Sequence, residues 1–488
     1  MANDKRIRNL TAATGLAGTD FLVVDQGSGA AVRASVSDVI AAGGGVIYVR
    51  AALSASNTAA ANATALQAAC DAAFAQDTGG TVIVPGGDFT LTSLNLSQPV
   101  TQDLTKHVRI VGDTSQGSIL RFASDGVCID AVGADNVRFE NLSITNAVGS
   151  TPTVGLLLGR TTAAANCRWL SARNVRVEGS FSQACVASIA AEIQHWDTCI
   201  FWNNHATGVA YYTSTQPIGI HSNGSGGYAA FTVASANGTL LTSSNTDITF
   251  TKCAFITGGA YGIPLSVEAG LHAQFYGCEF DPYGANAAAC VLLSAELNNV
   301  CAGPLLFSGC LFESATAHGI VLYAGTGLTK EWRGFKIIGN YFNLYGTGQQ
   351  SLTWTGALTD ANLCLTSVTY RDNTRPILAN DSIRINYVQD ADIDVGPGTI
   401  VFEKNGTAAA TYVDSKIHAA NYTLTDGPTY VGPTRSRREW WANAAPGSGD
   451  HLVGDVVWNS EVASGEYIGF VCTTAGSPGT WKGFGAIA

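Results

Sequence analysis

The chain has 488 residues, of which only 13% are charged and 55 are glycine. Its formal net charge of −11 and isoelectric point near 5.1 exclude the basic surface that nucleic-acid binding needs. The first residues lack the apolar core of a secretory signal, and no apolar run approaches the length of a membrane span. We therefore expect a protein made in a cytoplasm, with no membrane insertion and no nucleic-acid partner.

Residues 1–45 are predicted to be a separate small unit. Phe21–Val24 is a predicted strand, residues 25–29 form a turn, and residues 35–42 form a short helix. The triple glycine at residues 43–45 marks the boundary to the rest of the chain.

The clearest predicted helix covers residues 57–76. One face of that helix collects its apolar side chains, which are Leu66, Ala69, Cys70, Ala73 and Phe74. Short strands and turns follow, beginning with the stretch Gly-Gly-Thr-Val-Ile-Val-Pro at residues 79–85. This part of the chain is therefore predicted to be one helix followed by alternating strands and turns.

A short motif that recurs between residues 250 and 342 predicts the fold. It reads Phe-x-x-Cys-x-Phe around Cys253, Cys278 and Cys310, and Ile-x-x-Asn-x-Phe around Asn340. The steps between these central residues are 25, 32 and 30, a period typical of solenoids. The last apolar residue lies two positions after the central residue, as in a strand. A bend that contains Gly, Asn or Lys lies directly before the central residue.

Weaker copies of the motif extend towards the N-terminus. Their central residues are Cys199, Val175 and Leu142. The gap of 54 residues between Cys199 and Cys253 predicts one degenerate coil around residues 221–233.

Stacked coils of this kind predict an all-β fold, a right-handed parallel β-helix solenoid with an N-terminal capping helix and a small C-terminal β domain. The predicted β-helix covers residues 46–395, and residues 396–488 form the C-terminal β region. A leucine-rich repeat would need shorter repeats and regular leucine spacing. The twelve cysteines lack metal-binding spacing, so we expect buried free thiols, no metal site and no cofactor.

The C-terminal region contains four tryptophans, Trp440, Trp441, Trp458 and Trp481. Three roles remain open for them: the core of a small domain, a glycan-binding surface, or a clamp at the end of a trimer.

Candidate catalytic residues come from the coil register. If the central residue and the second residue after it point inwards, the first and third residues after it point outwards. Asp281 and Glu313 then lie on adjacent coils, with Glu279 beside Asp281 on the same strand. Paired carboxylates are the catalytic groups of glycoside hydrolysis, and mutual repulsion raises the pKa of one of them.

Aromatic residues near these carboxylates are the predicted substrate-binding platform for sugar rings. They are Tyr276, Tyr283, Trp202 and Tyr341. The alternative interpretation is that the acids are solvated surface residues. An error of one residue in the register would also move the outward columns to the inner face of the coil.

A second group contains Glu192, His195, Asp197 and His205. It could supply a lyase base or a cation site. A lyase would also bring a dedicated Arg or Lys, and Arg176 is the one nearby option in the sequence.

Three segments resemble a known family. Residues 7–25 resemble the leading segment that anchors phage tail and spike proteins to the virion. The helix followed by Gly-Gly-Thr-Val-Ile-Val-Pro resembles the opening of the pectate-lyase-like β-helix superfamily, in which such a helix covers the exposed strand edges at the end of the solenoid. Gly-Asp-Val-Val-Trp-Asn at residues 454–459 and Gly-Thr-Trp-Lys at residues 479–482 resemble the tail of phage spikes and β-helix depolymerases.

The resemblance implies a bacteriophage tailspike or tail-fibre protein, made in the host cytoplasm and attached to the virion. Its implied role is to recognise and hydrolyse a bacterial surface polysaccharide during host attachment. It also implies a parallel homotrimer that contacts phage tail or particle proteins through residues 1–45. A non-enzymatic binding spike and a polysaccharide lyase are the alternatives.

Overall fold

The computed structural model describes residues 21–25, 31–35, 46–49, 52–97, 106–160, 168–225, 227–237, 240, 247–268, 272–295, 300–323, 329–346, 349–355, 362–375, 382–385, 387–389, 391–394, 399–402, 411–413, 416–418, 421–424, 429–430, 439–448 and 451–487. Within these residues the fold has one helix, Ala59–Ala75 (α1), and is otherwise built from strands. No helix in these ranges has both the length and the apolar character needed to cross a membrane.

The strands of the N-terminal half are Phe21–Asp25 (β1), Ala31–Ser35 (β2), Val46–Tyr48 (β3), Gly79–Val84 (β4), Gly87–Leu91 (β5), Leu94–Asn95 (β6), His107–Gly112 (β7), Ser118–Phe122 (β8), Val127–Val132 (β9), Val137–Asn146 (β10), Val154–Gly159 (β11), Arg168–Gly179 (β12), Ala184–Ile189 (β13), Glu192–Asp197 (β14), Ile200–Asn203 (β15), Val209–Ser214 (β16), Ile218–Ser222 (β17) and Tyr228–Thr232 (β18).

The remaining strands are Asp247–Thr251 (β19), Ala254–Thr257 (β20), Ile263–Glu268 (β21), His272–Tyr276 (β22), Glu279–Pro282 (β23), Ala289–Ser294 (β24), Val300–Ser308 (β25), Leu311–Ser314 (β26), His318–Tyr323 (β27), Thr329–Ile338 (β28), Tyr341–Leu344 (β29), Leu352–Thr355 (β30), Asn362–Thr366 (β31), Thr369–Arg371 (β32), Ser382–Ile385 (β33), Tyr387–Gln389 (β34), Asp392–Asp394 (β35), Thr399–Phe402 (β36), Thr411–Val413 (β37), Lys416–His418 (β38), Asn421–Leu424 (β39), Thr429–Tyr430 (β40), Glu439–Ala442 (β41), Val456–Asn459 (β42), Tyr467–Thr474 (β43) and Thr480–Ala486 (β44).

The strands form three parallel ladders, which is the architecture of a β-helix and confirms the predicted fold class. The first ladder includes β14, β19, β22 and β25, and the second includes β15, β20, β23, β26 and β29. The third is a continuous sheet of twelve strands from β6 to β39. In the coils from β14 to β29 the strands pair in register, so a residue in one coil lies above its equivalent in the next. The long strands β10 and β12 each span the first two ladders.

The helix α1 forms where the alanine-rich segment predicted it. The Thr58 side chain caps its start by accepting a hydrogen bond from the Ala61 amide at 3.2 Å. Leu66 and Cys70 are fully buried against the first coils. The buried Asn62 side chain donates to the Thr90 carbonyl at 3.1 Å and so ties the helix to β5.

The recurring motif supplies the core, as predicted. Phe250, Phe275 and Phe307 stack in one column with ring centroids 4.9 and 4.7 Å apart. A second column runs from Phe255 through Phe280, Phe312 and Phe342 at 4.9, 5.0 and 4.5 Å. The ten cysteines whose side chains the structure describes are buried and not disulfide-bonded, in agreement with the prediction of packed thiols. Like residues therefore meet at the strand spacing of roughly 4.8 Å.

The bend before each central residue has a positive φ angle. The angle is 55° at Thr198, 52° at Lys252, 58° at Gly277, 63° at Gly309 and 65° at Gly339. The left-handed conformation is least costly for glycine, which explains its recurrence at this position. In these five coils the bend separates the first ladder from the second.

The predicted degenerate coil around residues 221–233 is wrong. Strand β14 pairs directly with β19, so no coil intervenes between them. The extra residues form the antiparallel hairpin β17–β18, which lies on the outer face of the third ladder. Phe231 packs edge-on against Tyr212, and the Ser266 hydroxyl donates to the Ile220 carbonyl at 2.9 Å. An apolar outer face at this point favours a covering hairpin over another coil.

The two ends of the chain form small sheets. Strands β1 and β2 make an antiparallel hairpin, in agreement with the strand predicted at residues 21–24. Residues 36–42 of the predicted short helix lie outside the described residues. Strands β41 to β44 form a separate four-stranded sheet, which matches the predicted C-terminal β domain. The parallel ladders continue through β40, past residue 395; the domain boundaries stay predictions.

The aromatic column predicts which core substitution is most damaging. Phe280 is fully buried between Phe255 and Phe312. We expect Phe280→Ala to destabilise the protein by about 3–5 kcal/mol, because it leaves a cavity that neighbouring coils cannot close. Chemical denaturation gives the change, with the fully exposed Val148→Ala as the control. Equal midpoints for the two variants would contradict the ladder's role.

Candidate active site

The second ladder presents an outward-facing surface that we call the outer strip. It consists of two columns that alternate with the buried aromatic column. One column contains Arg176, Ile200, Ala254, Glu279, Leu311 and Tyr341, and the other contains Glu178, Trp202, Ile256, Asp281, Glu313 and Asn343. The register expected from the sequence is therefore present.

Three carboxylates meet on the outer strip. Glu279 pairs with Leu311 and Phe280 with Phe312, which places Asp281 beside Glu313 on the next coil. Oxygen atoms of Glu279, Asp281 and Glu313 lie within 4.8 Å of one another. In the described part of the chain, no other group of three or more His, Cys, Asp or Glu side chains is close enough to share a metal ion.

Asp281 differs from its two neighbours in burial. It is 3% exposed, whereas Glu279 and Glu313 are half-buried. Burial raises the pKa of Asp281 to about 6, and the nearby charges of Glu313 and Glu279 add to that increase. A hydrogen bond with the Tyr283 side chain opposes part of it. Asp281 therefore keeps its proton to a higher pH than an exposed aspartate.

Glu279 and Glu313 have different surroundings. Burial and the charge of Glu313 raise the pKa of Glu279. The Tyr345 hydroxyl donates to Glu313 Oε1 at 2.5 Å, and this bond raises the pKa of Tyr345 to about 12. Asn343 in turn hydrogen-bonds to the Tyr345 hydroxyl. Glu313 is thus held in place by a side chain from the following coil.

Tyr345 is a site residue that the sequence interpretation missed. It lies five positions after Asn340, just as Tyr283 lies five positions after Cys278. The alternation of inward and outward side chains that predicts Asp281 and Glu313 also predicts an outward side chain at the fifth residue after the central one. Taken only to the third residue, that alternation does not include Tyr345.

The predicted aromatic residues divide into two sets. Trp202 and Tyr283 stack with ring centroids 6.4 Å apart, and Tyr283 is 66% exposed beside Asp281. Tyr341 is exposed in the same column as Glu279. Tyr276 lies on β22, across the bend from these residues, and its hydroxyl donates to Gln274 at 2.7 Å. Three of the four predicted aromatic residues therefore lie on the outer strip or beside it, and Tyr276 does not.

The second candidate group does not assemble into one site. Glu192 is ion-paired with Arg160 and Arg168 near the start of β14, so the prediction that Arg176 was the nearby cation is wrong. Arg176 instead binds Glu178 on its own strand, through Nε at 3.1 Å. His195 is exposed on the first ladder. Of this group, Glu192 is therefore part of an ion-pair network with Arg160 and Arg168.

The arrangement of the three carboxylates is chemically suited to acid–base chemistry. Asp281 is a buried carboxyl group with a raised pKa, and Glu313 is a more exposed carboxylate held by Tyr345. When two carboxyl groups lie in different environments, their pKa values can differ, so that one serves as an acid and the other as a base at the same pH. Exposed aromatic rings beside them offer flat apolar surfaces for sugar rings.

Comparisons with known proteins identify no family for this chain. No protein-family model matches the chain, and no curated protein matches it. The A-module of the Azotobacter vinelandii mannuronan C-5 epimerase AlgE4 is similar at 13% identity and a TM-score of 0.46, over 79% of this chain and all of that one.

Two tailspikes have comparable similarity. The capsular polysaccharide depolymerase gp49 of Acinetobacter baumannii bacteriophage Fri1 has 11% identity and a TM-score of 0.44, over 85% of this chain and 67% of that one. The tailspike of E. coli bacteriophage HK620, solved with a pentasaccharide, has 11% identity and a TM-score of 0.45, over 87% and 80%. The fold and the site define a parallel β-helix protein with an acidic strip on its outer face.

The raised pKa of Asp281 predicts a pH-dependent difference in stability. The folded protein holds this proton more tightly than the unfolded chain, where the pKa is near 3.8. Stability therefore falls as the pH rises from about 4 to about 6, and the loss persists above that range. We expect Asp281→Asn to remove this loss and to raise stability at pH 7 by roughly 1–3 kcal/mol.

Denaturation midpoints between pH 4 and pH 8 measure this effect. The control is Asp372→Asn, since Asp372 is an exposed carboxylate on another coil. A wild-type protein and an Asp281→Asn variant with parallel pH profiles would show that Asp281 has an ordinary pKa.

Proposed function

We propose that the protein is a virion-attached spike or tail-fibre protein that recognises and hydrolyses a bacterial surface polysaccharide. The observation that supports hydrolysis is the cluster of Glu279, Asp281 and Glu313, with oxygens within 4.8 Å, on a strip bordered by exposed aromatic rings. The resemblance of residues 7–25 to virion-anchoring segments supports the attachment. Assembly as a parallel homotrimer belongs to the same proposal.

In the proposed reaction, Asp281 is the general acid. Its raised pKa keeps a fraction of the carboxyl group protonated near neutral pH, so that it can protonate the oxygen of the leaving sugar. The negative charges of Glu313 and Glu279 favour this protonated form. Glu279 therefore acts on the reaction through the pKa of Asp281.

Glu313 is the proposed nucleophile. Its carboxylate attacks the anomeric carbon, the bond to the leaving oxygen breaks, and that oxygen takes the proton of Asp281. A water molecule then hydrolyses the glycosyl ester, with Asp281 accepting a proton from it. Carboxyl groups separated by about 5 Å are typical of enzymes that retain the anomeric configuration, whereas inverting enzymes separate them by roughly 6.5–9.5 Å. The spacing here favours retention.

The platform for the sugar chain is formed by Trp202, Tyr283 and Tyr341. Trp202 and Tyr283 stack on each other next to Asp281. Tyr341 lies two coils beyond Glu279 in the same column. A sugar bound between these rings would place a glycosidic bond over the carboxylates.

Hydrolysis predicts a clear effect of two conservative substitutions. With the host capsule or lipopolysaccharide as substrate, we expect Asp281→Asn and Glu313→Gln each to reduce oligosaccharide release by at least about a hundredfold, because each removes a group that acts on the reacting bond. Binding of the polysaccharide should persist in both variants. Size-exclusion chromatography measures release, and NMR of the first product gives its anomeric configuration.

The outcomes separate the alternatives. Full activity in both variants would refute the assignment of the site. Binding without release by the wild-type protein would favour a non-enzymatic receptor-binding spike. New ultraviolet absorbance from an unsaturated sugar would indicate a lyase.

The attachment proposal has its own test. Deletion of residues 1–45 should abolish incorporation into particles and leave polysaccharide binding intact, since the carboxylates and the aromatic platform lie on the β-helix. Immunoblots of purified particles measure incorporation. Normal incorporation of the truncated protein would refute the anchor.

A further inference from the structure

The outer strip has a marked order of charge along the coil axis. At its N-terminal end Arg176 and Glu178 neutralise each other through a side-chain ion pair. The next two coils present apolar side chains, and the two after them contain all three clustered carboxylates. At a strand spacing of about 4.8 Å, the strip from Arg176 to Tyr341 is roughly 24 Å long.

Among the described residues, no cationic side chain forms an ion pair with Glu279, Asp281 or Glu313. Arg176 lies three coils from Glu279 in the same column and is bound to Glu178. Lys252 lies at the bend that borders the strip, one coil away. Neither Arg176 nor Lys252 is among the charged groups that shift the pKa of Glu279 or Asp281. A ligand at this point therefore meets a negative potential.

The floor of the strip next to the carboxylates is apolar. Ile200 and Trp202 form one step and Ala254 and Ile256 form the next, and all four side chains are partly exposed. Tyr283 stacks on Trp202 and extends this surface to Asp281. Such a surface suits the C–H faces of sugar rings, and it offers no charged group to bind a carboxylate or sulfate on the sugar.

We propose that the outer strip selects a glycan without acidic groups on the sugars that contact Glu279, Asp281 and Glu313, and that this glycan lies along the coil axis over Ile200, Trp202, Ala254 and Ile256. The inference rests on the proposed function and specifies its substrate class. An acidic sugar at this position would place its charge within a few ångströms of three carboxylates, well inside the screening length of about 10 Å at 0.1 M salt.

The test uses binding, so that it does not depend on cleavage. Full-length protein with Asp281→Asn is applied to an array of bacterial surface oligosaccharides that includes acidic members and their carboxyl-reduced, uncharged counterparts. We expect the uncharged member of each pair to bind at least about tenfold more tightly in low salt, with a smaller difference at high salt.

A second substitution isolates the charge of the strip. Adding Glu279→Gln to the Asp281→Asn protein should raise its affinity for the acidic members several-fold relative to its affinity for their uncharged counterparts. The control adds Asp372→Asn instead, which changes the net charge by the same amount at a residue outside the strip. It should leave the preference for uncharged glycans unchanged.

Tighter binding of acidic members, equal effects of Glu279→Gln and Asp372→Asn, or no binding to any member would each overturn the inference. If the protein prefers uncharged glycans but releases no product, the selectivity is supported and the hydrolytic function is refuted. If the protein cleaves an acidic polymer, the hydrolytic function is supported and the selectivity is refuted.

Discussion

The stacking of equivalent side chains in successive coils is the constraint on which the structure depends. Each coil contacts its immediate neighbours, so an inward residue is packed by the same position one coil above and one coil below. The phenylalanine columns satisfy this condition with ring spacings of 4.5 to 5.0 Å. Because those spacings match the hydrogen-bond spacing of the strands, aromatic packing and backbone pairing reinforce the same register.

That register leaves the alternate positions of the second ladder free for function. Asp281 lies next to the fully buried Phe280, and its own side chain is nearly enclosed by neighbours on the outer strip. Enclosing a carboxyl group beside two others opposes its ionisation, which is unfavourable for folding at neutral pH. The stacked coils supply enough buried apolar surface to tolerate this, so a stable scaffold can hold an unfavourably placed carboxyl group.

The outer face of the third ladder differs from that of the second in how far its side chains are buried. Its outward residues are also buried, including Leu157, Tyr212 and Leu292. The hairpin β17–β18 covers part of this face and is joined to it by hydrogen bonds from Tyr212 and Ser266. The solenoid therefore has one outer face that is packed and another that is open, and the open face holds the carboxylates.

The sequence by itself determined the coils, the capping helix, the buried cysteines and the register that brings Asp281 to Glu313. The helix follows from the spacing of apolar residues along one face. The coils, the cysteines and the register follow from a repeated pattern, whose period of two along each strand shows which side chains share a face. Tertiary structure alone decided the hairpin, the burial of Asp281, the hydrogen bond from Tyr345 to Glu313 and the pairing of Glu192 with Arg160. Each of these depends on contacts between different coils or with an insertion that interrupts the repeat. Such contacts depend on distance in space, and the spacing of residues along the chain does not determine that distance.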